Sequence, residues 1–188
     1  MSQNPPMPDI VDGRPGTSRA PKRVPSVTLA CTLGDPPDTP VINGILETGH
    51  QCALNGISAR LCMSDDEVLL RGAILAEADQ VVLDGHGDPD GALLQPFPLG
   101  SLLGGGLSFK ARVLMLGCCW GSAGRYRNVI SRCIKEPTVF LGCEQQPRNT
   151  HGRHVFPPLL LALAPLIGSS SPETLKGVLL GELPKRTH

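Results

Sequence analysis

The sequence has no net charge: 17 lysines and arginines stand against 17 aspartates and glutamates in 188 residues. A chain balanced in this way has no whole-molecule attraction for nucleic acid or for an anionic membrane, so neither is an expected partner. Long apolar runs are missing too. The longest, residues 159–167, is too short to cross a bilayer and contains Pro165. Residues 1–25 lack the apolar stretch of a secretory leader. A disulfide framework is also absent: the seven cysteines are odd in number, irregularly spaced and mostly set in apolar contexts. Together these absences predict a cytoplasmic protein with reduced thiols.

What is present is a chain long enough for one domain with a real core. Residues 1–25 hold Pro5, Pro6, Pro8, Pro15, Pro21 and Pro25 among Gly, Ser and Arg, and read as a disordered tail. Arg19, Lys22 and Arg23 form a small basic cluster there, read as a solvated linker. Residues 26–183 form the expected domain and residues 184–188 a frayed tail. The β-branched run 26–31 predicts a first strand. Helical spacing of Val41, Ile42, Ile45, Leu46, Cys52 and Ala53 predicts a helix over 39–54, with Thr39 as N-cap and Pro40 in its first turn. A strand over 57–63 follows. A helix capped by Ser64 comes next, with Asp65, Asp66 and Glu67 in its first turn and Val68, Leu69, Ala73, Ile74 and Leu75 facing inward. Further strands are expected over 80–84, 113–116 and 138–142, and helices over 125–134, 156–166 and 172–183. Strands alternating with helices predict an α/β fold, a mostly parallel central sheet with helices on both faces.

Two strand ends carry the chemistry. Residues 112–122 read Arg-Val-Leu-Met-Leu-Gly-Cys-Cys-Trp-Gly-Ser, a buried strand that stops at Gly117 and presents Cys118. Residues 80–88 read Gln-Val-Val-Leu-Asp-Gly-His-Gly-Asp, a second apolar strand running into His86. Open α/β sheets place their chemistry at the carboxyl ends of the strands. If the two strands are neighbours, His86 and Cys118 come side by side, and a thiol next to an imidazole is the minimum for a cysteine nucleophile. The plain alternative is an unrelated α/β domain with both cysteines in its core and His86 in a turn.

Residues 81–87 resemble the strand-then-His-Gly motif of the caspase-like cysteine peptidases, and residues 114–122 resemble their second motif, a strand followed by Gly/Ala-Cys-x-x-Gly. The spelling Gly-Cys-x-x-Gly-Ser is similar to that of separases and legumains. Size and the later segments look most like the bacterial CHAT branch, over roughly residues 27–163. The resemblance implies a three-layer, Rossmann-like caspase fold and a peptidase acting on a protein or peptide substrate, with an activator protein as a possible further partner, in a bacterial regulatory or defence pathway. Cys118 is then the nucleophile, His86 the general acid/base, and the backbone N–H groups of Gly87 and Cys118 the oxyanion hole. Cys119 remains an alternative nucleophile, because caspases themselves space the motif as Cys-x-Gly. Asp84 could orient the imidazole. Asp35 resembles in place the acid that lines a pocket for a basic side chain in metacaspases and paracaspases. The acid those families carry two residues before the nucleophile is Leu116 here, which counts against basic specificity and leaves Asp35 as either a pocket residue or a loop or cap residue. Glu144 and Arg148, past the last strand, are candidates for substrate contact.

No cofactor is expected. Cys143, His151 and His154 lack a fourth zinc ligand at convincing spacing. Residues 104–106 lack the Lys-Ser/Thr of a phosphate loop, and Asp65–Glu67 are explained by a helix start rather than by calcium. A catalytically inactive caspase-like module that binds partners is the other reading of the same motifs.

Overall fold

The computed structural model describes residues 23–88, 91–104, 108–142 and 151–182, with the backbone alone for 151–155. Chain order is β1 (Ser26–Cys31), α1 (Thr39–Leu54), β2 (Ser58–Met63), α2 (Glu67–Leu75) and β3 (Gln80–Asp84). A small antiparallel pair, β4 (Leu93–Leu94) and β5 (Phe97–Pro98), leads into α3 (Leu99–Leu103). Then come β6 (Val113–Leu116), α4 (Gly124–Cys133), β7 (Val139–Gly142), α5 (His151–Leu163) and α6 (Pro172–Glu182). Five strands make one parallel sheet in the order β2-β1-β3-β6-β7.

Alternation along the strands divides the core between the two faces. Val27, Leu29, Cys31, Val82, Val113 and Met115 meet α1, α5 and α6. Ala30, Val81, Leu83, Leu114 and Leu116 meet α2, α3 and α4. Both sides of β3 and β6 are therefore dry, which is why each reads as an unbroken apolar run. The fold is a three-layer α/β architecture, as the alternation of strand and helix patterns predicts. None of the described helices is long and apolar enough to cross a membrane. The six described cysteines are free thiols.

The chain runs outward from β1 to β2, returns past β1 to β3, and continues through β6 to β7. The order reverses between β1 and β3, and a crevice opens at such a point beyond the carboxyl ends of the strands. The opposite, amino-end rim is tied by polar contacts. Asp79 accepts from Ser26 N and Ser26 Oγ, both at 2.8 Å, and pairs with Arg23 at 3.5 Å. The Arg112 guanidinium donates to the carbonyls of Ile167 and Ser170.

Several local expectations change. The N-cap of α1 is Asp38, not Thr39: its Oδ1 accepts from Val41 N at 3.3 Å, and Pro40 falls in the first turn. The N-cap of α2 is Asp66, which accepts from Val68 N and Leu69 N; Ser64 Oγ instead accepts from Asp66 N. The stripe of α2 packed on the sheet is also a different one: Leu70, Ile74 and Leu75 are buried, whereas Val68 and Leu69 are 78% and 61% exposed. Leu46 and Ala53 of α1 also face out. Because α5 begins at His151, Pro157 and Pro158 lie inside it rather than at its start.

Candidate functional site

β3 and β6 are neighbours in register, with Leu83 opposite Leu116, and Gly117 N donates to Leu83 O at 2.8 Å. The His86 and Cys118 loops therefore leave the sheet from adjacent parallel strands. They are also locked backbone to backbone. A Cβ built on Gly87 would lie 2.0 Å from the Cys119 carbonyl oxygen and 3.0 Å from Tyr126 Oη. Only glycine permits that approach. Beyond it the chain is pinned by a bridge between Gly87 and Leu94, with Gln95 N donating to His86 O at 2.8 Å.

The side chains take separate partners. The His86 ring is 58% exposed, and its Nε2 lies 2.9 Å from Asp38 Oδ2. Cys118 is 1% exposed and belongs to the core under α4. Its thiol shares a hydrogen bond with the Tyr126 hydroxyl. Tyr126 donates to Leu93 O at 2.6 Å and accepts from Asp88 N at 3.0 Å. Burial first, and the neighbouring Cys118 sulfur second, push the Tyr126 phenol up to about 12. Cys119 is partly exposed.

Tyr126→Phe removes this anchor. It is expected to cost about 1–3 kcal/mol through the Asp88 N–H and Leu93 carbonyl left unpaired. It should also speed alkylation of Cys118 by iodoacetamide, read by mass spectrometry of the labelled peptide. An unchanged alkylation rate would show that the phenol does not restrain the thiol.

A groove of 690 Å³ lies at the switch between β1 and β3, lined in part by Asp35, Asp38, Asp65, His86, Pro36 and Pro96. Asp65 shapes it by accepting from Leu33 N at 2.8 Å and Gly34 N at 3.2 Å. The exposed Asp35 and His86 share this groove; its lining includes neither Cys118 nor Cys119. Glu144 and Arg148 lie outside the described residues, as do Cys143 and the side chains of His151 and His154.

The carboxylate bonded to the imidazole is Asp38, not Asp84. Asp84 is buried, and its Oδ1 accepts from Gly85 N at 2.9 Å. It is roofed by Gly117, where a Cβ would sit 2.6 Å from Asp84 Oδ1 and 2.8 Å from Phe156 Cζ. The glycine before Cys118 thus makes room for an acid one strand away. Burial pushes the Asp84 carboxyl from 3.8 up to about 6; the Gly85 N–H opposes this, the nearby Asp38 charge adds to it, and His86 pulls it down. Burial, with Asp84 next, pushes the Cys31 thiol up to about 12, which leaves it protonated and inert.

Sequence reasoning missed Asp38 and Tyr126. Asp38-Thr39-Pro40 carries a cap signal that was assigned one residue late. Tyr126 reads as one more apolar residue on a helix face, and nothing local reveals that its hydroxyl meets Cys118. Comparison with family models, with curated proteins and with solved structures finds no match to this chain.

Proposed function

We propose that the protein is a cysteine peptidase of the caspase-like type, with the CHAT branch as its nearest likeness. The observation that carries this reading is the lock between Gly87 and the Cys119 carbonyl, which joins the histidine loop to the cysteine loop at neighbouring strand ends. In the reaction, the Cys118 sulfur attacks the carbonyl carbon of a peptide bond, and the developing oxyanion is met by the N–H groups of Gly87 and Cys118. Such donors are each worth about 3 kcal/mol in acyl transfer. His86 takes the thiol proton and passes it to the leaving amine as the C–N bond breaks. Water then hydrolyses the thioester with His86 as base. The peptide lies along the groove beside His86, with Asp35 at its margin. No cofactor takes part.

The described arrangement is a closed one for this chemistry, because Cys118 is 1% exposed and bonded to Tyr126. Turnover therefore requires the loop after β6 to turn the sulfur outward, a step that an activator protein or the substrate would drive. That same closure favours the second reading, an inactive caspase-like module that binds peptide without cleaving it.

A thiol-reactive peptide probe separates these. Cys118→Ala is expected to abolish labelling and cleavage of a diverse peptide pool, while Cys119→Ala retains both. Labelling undiminished in Cys118→Ala but lost in Cys119→Ala would move the nucleophile by one residue. Binding of the pool with no cleavage by the wild type under reducing conditions would establish the inactive module.

A further inference from the structure

We propose that Asp38 is a positioning residue for His86: its carboxylate, seated at the start of α1, grips the imidazole at Nε2 and leaves Nδ1 as the working nitrogen. This inference rests on the hydrolase reading of the same site. It is carried by the way the two carboxylate oxygens are divided. Oδ2 lies 2.9 Å from His86 Nε2, while Oδ1 accepts from Val41 N at 3.3 Å in the first turn of α1.

The backbone of Asp38 is fixed as well. Its N–H donates to Leu33 O at 2.8 Å, and its carbonyl accepts from Ile42 N at 3.0 Å. The carboxylate cannot swing away from the ring without giving up the cap, so the helix sets the orientation of the imidazole. An imidazole that is 58% exposed has little packing to hold it, so the contact of its Nε2 with Asp38 is its principal restraint.

A carboxylate on one ring nitrogen also settles the tautomer. Nε2 carries the proton and donates it, and the lone pair is left on Nδ1. When Nδ1 takes a proton during attack on a substrate, the imidazolium so formed has an anion already beside it. Asp84 is engaged elsewhere: it is buried, and its Oδ1 accepts from Gly85 N beneath Gly117.

The test compares Asp38→Asn, Asp38→Ala and the wild type as full-length chains. Asparagine caps a helix about as well as aspartate, so Asp38→Asn is expected to keep the wild-type urea midpoint. Its kcat on a peptide substrate should nevertheless fall about 10- to 100-fold with KM little changed, less than the ~10⁴-fold of a buried triad aspartate because this ring is open to solvent. Nitrogen NMR of the ring is the readout that does not depend on turnover: the wild type should show the Nε2-protonated form, and Asp38→Ala a mixture of tautomers. Wild-type kcat in Asp38→Asn, or a ring signal unmoved by Asp38→Ala, would overturn the proposal. If the wild type cleaves no peptide, the hydrolase reading fails, and the hold on the ring stands or falls by the NMR signal alone.

Discussion

Gly87→Ala is expected to cost about 3 kcal/mol or more of stability and to reduce peptide turnover about 100-fold in the molecules that still fold. The new methyl group would start 2.0 Å from the Cys119 carbonyl oxygen and 3.0 Å from Tyr126 Oη. The obstacle is backbone, so no rotamer change relieves it. Either the loop carrying His86 or the loop carrying the cysteines must move by more than an ångström. Overpacking of a close contact costs about 1–3 kcal/mol even where side chains can adjust, and a shift of that size between reacting groups carries about a 100-fold loss. Gly72→Ala is the control, because nothing lies within 4 Å of a Cβ there. Urea midpoints and turnover of the two variants check the prediction. Gly87→Ala with the stability and thiol reactivity of Gly72→Ala would mean that the two loops do not depend on each other.

The second large effect depends on pH. The Asp84 carboxyl is pushed from 3.8 up to about 6, chiefly by burial. The folded protein therefore holds this proton more tightly than the unfolded chain. Asp84 contributes its full stability below pH 4, and that contribution is lost as pH rises through 6. A shift of this size corresponds to about 3 kcal/mol. Asp84→Asn cannot ionise, and its amide oxygen can still accept from Gly85 N. It should match the wild type near pH 4 and exceed it by about 3 kcal/mol above pH 7, where the wild type must bury a charge near that of Asp38. Urea unfolding of both proteins at pH 4, 6 and 7.5 gives the difference directly. A difference that is flat with pH would show that Asp84 ionises freely in the folded state.

The layered sheet was legible in the sequence because β1, β3 and β6 are buried on both faces, and such strands announce themselves as apolar runs. The two motifs at neighbouring strand ends were legible for the same reason. What escaped was set by contacts distant in sequence or by a shift of one or two residues. Packing of α2 on the sheet selects Leu70, Ile74 and Leu75 and leaves the equally apolar Val68 and Leu69 exposed. A cap at Asp38 instead of Thr39 placed a carboxylate against a ring 48 positions later, and no periodicity encodes that meeting. Likewise, Cys118 is met by the hydroxyl of Tyr126, a residue that spacing assigns to the core but whose hydroxyl it cannot place.

All five strands point the same way, so every group discussed for catalysis gathers at one pole, while Arg23 enters at the other beside Asp79. The two poles can therefore be handled separately. A dye or bead attached at position 23 itself sits behind the molecule, leaving the opposite pole turned toward whatever is offered to it.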